Sequence, residues 1–466
     1  MRPCLTKASA GFFLLLAAAF LAAISAQPYA GGWNDGSRLA SVESLVDRHT
    51  WQIDGSLFVK TPGLENPRTN SVYPANDTNL IDHGTLDKLF IRGHYYTDKS
   101  PVPALVMVGV YKELQITTGL TAAKNPELFC YLMTLIFSGA SYLVSVFCIG
   151  RIAARSGLPG RTQLLVTAAF AFATVALPYA RHVNNHILLL AVFSLLFWTL
   201  FEFVDGEGEK KSPLLIPIAG TLAGIGYTID LGAGPVLVLC TAGFVLWHTR
   251  SLRTVVVLLL CAFPWFLAHH AINYLIGGTF KPANAVPEFF LWPGCPFNAQ
   301  NLTGGWAHRS VWHFLFYTVD LLVGKKGFLG HNLPLFLAVA GSLPLLRKMP
   351  RTPKLLPFAW AVILGTWLLY AATSNNYSGL CCSVRWFVPL LAPFFYLLIV
   401  LLKTFPERES EMLLLTAWAF PMTVLMTLRG PWMQHMVPGY WFFVAGALIS
   451  WIGWRYTQQK KSPRRF

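Results

Sequence analysis

Residues 128–155 read LFCYLMTLIFSGASYLVSVFCIGRIAAR, an apolar run from 128 to 149 that closes on Arg151 and Arg155. As a helix, a run of this length crosses the ~30 Å hydrocarbon core of a bilayer. Inside lipid every backbone N–H and C=O must be satisfied within its own segment, and the period-two alternation of a membrane barrel is absent, so the spanning unit is a helix. Short basic loops stay in the cytoplasm, so this run starts outside and ends inside. Eleven further apolar runs can be read outward from it, at 11–26, 163–180, 187–204, 214–229, 232–247, 254–276, 333–346, 355–373, 387–402, 412–428 and 440–454. The chain is 54% hydrophobic and only 12% charged over 466 residues, which fits an all-α polytopic membrane protein of about twelve transmembrane helices.

The stretch 101–119 is also apolar but carries Lys112 and Glu113. Were it a span, Arg151, Arg155 and Arg161 would fall on the outer side, against the orientation rule. It is therefore read as a re-entrant or juxtamembrane helix. The run at 11–26 follows Arg2 and Lys7 and serves as signal peptide or signal anchor; in either case 27–125 is delivered outside as a first extracytoplasmic loop. A second outer loop covers 277–332, with short outer links at 374–385 and 429–439. The cytoplasmic segments are too short for a catalytic domain, so any chemistry is external.

The net charge of +15 follows from this topology. Arg347, Lys348, Arg351 and Lys354, and likewise Lys460, Lys461, Arg464 and Arg465, read as cytoplasmic anchors against anionic membrane lipid, and no nucleic-acid partner is implied. Cys130, Cys148, Cys240 and Cys261 lie in apolar runs and behave as small hydrophobes. Cys295, Cys381 and Cys382 fall outside, but no spacing predicts a disulfide, a zinc site or a CxxC redox motif. Asn76, Asn301 and Asn376 head Asn-x-Ser/Thr sequons on the outer side.

The polar residues of the outer side carry the functional reading. In GGWNDGSRLASVESLVDRHTWQIDG, residues 31–55, Leu39, Val42, Leu45 and Val46 recur at helical spacing. They predict an amphipathic helix starting near Asp35 or Ser37 and lying on the membrane surface. Asp35 either caps that helix or acts as a base or metal-facing carboxylate; Arg38, three residues on, shares its face and suits an anion. In GHYYTDKSP, residues 93–101, Lys99 stands at a helix entrance, where the macrodipole disfavours a cation unless an anion is bound there too. The plainer alternative pairs Lys99 with Asp98 and makes Tyr95 and Tyr96 part of an aromatic belt. Arg385 at the mouth of a span, and Lys325, Lys326 and His331 in GKKGFLGHNLP, place more positive charge outside, where an anionic headgroup would balance it.

These features together resemble the GT-C class of integral-membrane glycosyltransferases, in particular the bacterial protein mannosyltransferase and lipid A aminoarabinose transferase group. The resemblance rests on Asp35-Gly36-Ser37-Arg38 in the first outer loop, on GHYYTDKSP, on the late segment ending at Arg385 before a proline-containing span, and on the KKGFLGHNLP turn. It implies a sugar donor carried on a polyprenyl phosphate, an unassigned acceptor, and inverting transfer on the periplasmic face of a bacterial inner membrane. It also implies Asp35 as catalytic base, Arg38, Lys99 and Arg385 as ligands of the donor phosphate, and Tyr95, Tyr96, Asp98, Lys326 and His331 as supporting residues. A divalent metal is compatible with such a site. Two other classes stay open at this stage: a transporter or flippase for an anionic lipid, with Asp230 between two spans as its ionisable residue, and a non-catalytic assembly subunit that kept the fold. The lack of internal repeats counts against the transporter.

Overall fold

The computed structural model describes residues 2–64, 69–205, 212–298, 304–306, 308–347 and 354–461. The expected anchors Lys348, Arg351, Arg464 and Arg465 and the sequon at Asn301 lie outside them. Six helices are long and apolar enough to cross a membrane: Pro126–Arg155, Asn185–Val204, Leu252–Gly277, Leu356–Thr373, Arg385–Thr404 and Pro406–Arg429. Shorter apolar helices are Ala10–Ser25, Leu215–Ile229, Ala233–Thr249, Val311–Val323 and Leu335–Leu345. The last expected span is the helix Tyr440–Lys461. The expected span 163–180 is broken into Gly160–Phe172 and Ala176–Tyr179. At the break, Asn332 Oδ1 accepts from the Val175 N–H at 2.9 Å, so a side chain distant in sequence replaces the lost helical bond. Val311–Val323, inside the second outer loop, is a helix that apolar run length alone did not reveal.

The bundle is ordered by how apolar each helix is around its circumference. Every residue from Leu391 to Leu402 is buried, so this helix sits at the centre. Leu252–Gly277 is peripheral: Leu252, Leu260 and Leu275 are exposed, as lipid-facing leucines must be. It is held through Leu215–Ile229, whose Gly220 and Gly224 press on the Leu258 and Ala262 carbonyls. A Cβ at Gly224 would lie 2.8 Å from the Ala262 oxygen. This small-xxx-small spacing lets the two backbones approach where lipid offers no hydrophobic drive.

The first outer loop folds into a subdomain above the bundle. Its helix Trp33–Asp47 is not spread on a surface as expected but enclosed, with Asp35, Ser37, Arg38, Ser41, Glu43 and Ser44 all buried. Its polar face is used internally: Glu43 binds Arg48 at 2.8 Å, the Ser56 hydroxyl at 2.5 Å and the Leu57 N–H at 3.0 Å. Pro101–Thr118 packs against it and is not among the helices long and apolar enough to span, as its Lys112 and Glu113 imply. Between them lies an antiparallel hairpin of Lys88–Ile91 and His94–Thr97. Its turn residues Arg92 and Gly93 both have positive φ (53° and 89°), the backbone twist that a two-residue hairpin loop prefers. The seven cysteines with described side chains are free thiols.

Candidate functional site

Where the subdomain meets the bundle there is a cavity of about 520 Å³. Arg38 comes from the first outer helix, Asp98 and Lys99 from the end of the hairpin, and Arg385 from the start of a central span; all four line it. Asn185, His186, Asp230, His269 and Tyr370 line it from the bundle.

The cations differ in how they are neutralised. Lys99 Nζ lies 2.6 Å from Asp87 Oδ2 and 2.8 Å from Asp98 Oδ2, so the pairing with Asp98 weighed from the sequence occurs and Asp87 joins it. Ser37 buttresses this corner, its hydroxyl 2.5 Å from the Asp87 carbonyl and 2.6 Å from Thr97 Oγ1. Burial raises the Asp98 carboxyl above the usual range, with Lys99 opposing. Arg38 is 6% exposed, and its Nε donates to Asn34 Oδ1 at 3.3 Å. Burial pushes its guanidinium down to about 10, with Asp98 opposing and Arg385 adding to the shift. Neither Arg38 nor Arg385 has a carboxylate within 4.0 Å among the described residues. Arg385 Nε is buried without a hydrogen-bond partner, and its guanidinium rests 5.7 Å from the Trp432 ring centroid.

Arg385 is presented by a braced loop. Ser378 and Gly379 both have positive φ, and the Ser378 hydroxyl accepts from the Arg385 N–H at 3.0 Å. Lys326 donates to the Gly379 carbonyl at 2.7 Å and accepts from the Val384 N–H at 2.9 Å. Lys326 thus positions Arg385 from behind rather than facing the cavity. His331 is fully buried, donates from Nδ1 to the Gly327 carbonyl at 2.7 Å, and stacks on Tyr440 at 4.5 Å; it too lies off the cavity. Tyr95 packs on Trp292, and Tyr96 pairs across the hairpin with Leu89; neither lines the cavity.

Asp35 is not a lining residue either. It is fully buried on the third position of its helix. Its Oδ2 accepts from the N–H of Gly31, which precedes the helix, at 2.5 Å, and lies 3.3 Å from His182 Nδ1 and 3.4 Å from Trp432 Nε1; the N-cap itself is Gly32 and carries no side-chain cap bond, so Asp35 does not cap this helix. Its Oδ1 has no partner. Trp432 touches both Asp35 and Arg385 and so stands between the carboxylate and the cavity. Gly36 has no room for a side chain, because the Tyr73 hydroxyl fills the space beside its Cα.

Several lining residues were not read from the sequence. Asn185 and His186 belong to RHVNNH, residues 181–186, a polar cluster between two apolar runs that marks an outer turn. His269 and Asn273 sit one turn apart in the second half of a largely apolar helix, an intramembrane signal of function. Asp230 caps the helix Ala233–Thr249 through the Gly232 and Ala233 N–H groups (2.9 and 3.0 Å) and accepts from Tyr370 Oη at 2.6 Å. Asn185 Oδ1, His186 Nδ1 (3.9 Å from Asp230 Oδ2) and His269 Nε2 are buried without hydrogen-bond partners, like Arg385 Nε, which leaves unmet hydrogen-bonding groups on residues that line the cavity. Among the described residues no three or more His, Cys, Asp or Glu side chains converge to hold a metal ion.

The helix arrangement is the GT-C fold known from integral-membrane glycosyltransferases. Two solved structures of ArnT from Cupriavidus metallidurans share it, one bound to undecaprenyl phosphate and one in the apo state. Each aligns at TM-score 0.51 over 94% of this chain and 75% of that one, with 14% and 15% sequence identity. At such identity the likeness is one of fold. No protein-family model matches the chain, and no curated protein does.

Proposed function

We propose that this protein is a glycosyltransferase that moves a sugar from a polyprenyl-phosphate donor to an acceptor at the extracytoplasmic face of a bacterial inner membrane. The observation that carries the reading is that Arg38 and Arg385, from opposite ends of the chain, line one cavity without a carboxylate partner. A buried cation without a counter-ion such as Arg38 costs several kcal/mol, and a phosphate in the cavity would offset that while also pairing the half-buried Arg385. The undecaprenyl phosphate bound to an ArnT structure of the same fold supports a polyprenyl phosphate as that anion. Lys99, with one proton left after Asp87 and Asp98, is the third donor.

In the reaction the acceptor's attacking O–H or N–H gives its proton to a carboxylate, and the freed pair forms the bond to the anomeric carbon. The bond from that carbon to the phosphate oxygen breaks on the opposite side, which inverts the centre. Polyprenyl phosphate leaves with the electron pair, its new charge held by Arg38, Arg385 and Lys99. Asp35 is the proposed base: its Oδ1 carries lone pairs that nothing occupies, whereas Asp98 is tied to Lys99 and Asp230 to a helix cap. The acceptor would then reach it along Trp432.

The test follows release of polyprenyl phosphate from a labelled polyprenyl-phosphate sugar, with purified protein and membrane extract as acceptor source. Asp35→Asn, which keeps the shape and loses the base, is expected to cut release at least 100-fold with donor binding intact. Loss in Asp98→Asn with activity kept in Asp35→Asn would move the base to Asp98. Donor binding without release by the unaltered protein would overturn the transferase reading in favour of a non-catalytic subunit.

A further inference from the structure

The outer subdomain holds a second pocket that the transfer reaction does not use. It encloses about 510 Å³ and is lined by Trp33, Lys60, Asn79, Asp82, His83 and Lys88, with Tyr95 and Trp292 forming its inner wall. Lys88 is its unusual member. It is 3% exposed, and its ammonium donates to the Lys60 carbonyl at 2.9 Å while resting 4.3 Å from the Tyr95 centroid and 5.1 Å from that of Trp292. No carboxylate lies within 4.0 Å of it among the described residues, since Asp54 is turned to Tyr95 N and His94, and Asp87 to Lys99. A backbone carbonyl and two ring faces satisfy part of a buried ammonium, but they leave its charge unbalanced. The indole N–H of Trp33, on the same wall, is also buried with no partner. A cation without a counter-ion and an indole N–H without a partner thus belong to two residues that line one pocket, and Asn79, Asp82 and His83 supply hydrogen-bonding groups around it.

We propose that this pocket binds an anionic sugar, with its carboxylate or phosphate held by Lys88 and the Trp33 indole N–H and its hydroxyls met by Asn79, Asp82 and His83. The pocket adjoins the first cavity: Trp33 precedes the lining residue Asn34, and Tyr95 stands two before Thr97 on the same face of its strand. The site is nevertheless separate and does not depend on the transferase reading.

Saturation-transfer NMR on the full chain in lipid nanodiscs tests it, with glucuronate and glucose 6-phosphate as probes and glucose as the neutral control. Saturable binding of at least one anionic sugar and none of glucose is expected, and which sugar binds distinguishes carboxylate from phosphate. Trp33→Phe, which keeps the ring and deletes the donor, and Lys88→Gln should each weaken binding at least tenfold. Prior saturation with undecaprenyl phosphate, which on the proposed reading fills the other cavity, should leave it unchanged. Binding of neither anion, equal binding of glucose, binding abolished by undecaprenyl phosphate, or binding untouched in Trp33→Phe would each overturn the assignment.

Discussion

Arg38 and Lys88 are buried cations without a carboxylate within 4.0 Å among the described residues, and the burial of Lys88 leaves a measurable trace. Burial pushes the Lys88 ammonium down from its ordinary 10.5 to about 8. Between those values the unfolded chain keeps the proton that the folded chain has lost, so the unfolded state binds more protons and stability rises with pH. The penalty is fully present below pH 8. Lys88→Met removes it, so the variant's advantage over the unaltered protein in thermal unfolding should shrink by up to about 3 kcal/mol between pH 7.5 and 10.5. An unchanged gap would mean that the ammonium is not desolvated. At this scale the sequence was partly legible. Arg38, Lys99 and Arg385 stood out because positive charge on the outer side of a membrane protein needs an explanation. Asn185 and His186 did not, because a polar cluster between two spans looks like any outer turn. The enclosure of Asp35 was hidden too, since the Trp432 that covers it lies 397 residues away.

Among the elements, the clearest dependence is the pair Leu215–Ile229 and Leu252–Gly277, joined at Gly220 and Gly224. Gly224→Val drives a branched side chain into the Ala262 backbone, and overpacking of this kind costs about 1–3 kcal/mol. The expected outcome is a lowered melting temperature in detergent, with Gly243→Val, at a position with open space, as the neutral control. A second dependence lies in the loop before Arg385. Lys326→Met deletes the bond to the Gly379 carbonyl, so polyprenyl phosphate should bind roughly tenfold more weakly at about unchanged melting temperature. An equal loss of both would show that Lys326 supports the fold at large rather than the arginine. The spans could be read because run length alone decides them. The helix Trp33–Asp47 was placed wrongly on the membrane surface because its apolar stripe was visible and the partners of its polar face, Ser56, Thr97 and Asp98, were not.

For the whole molecule, sidedness links the fold to the chemistry. Asn185 and His186 open the helix Asn185–Asp205 at the cavity, while near its far end Glu202 meets Arg155 at 3.2 Å. The cavity and the basic loop after the first long span therefore lie at opposite ends of the bundle, as the charge pattern 151–161 requires of an outer site. On the proposed function, Arg38 and Arg385 are left without carboxylates because a lipid-borne phosphate completes them. An electron-microscopy structure of the protein in nanodiscs with added undecaprenyl phosphate tests this directly. The account predicts the phosphate in the 520 Å³ cavity, within salt-bridge distance of both guanidinium groups, and no such density in the Arg38→Ala, Arg385→Ala double variant. A phosphate found elsewhere on the molecule, with that cavity empty, would contradict it.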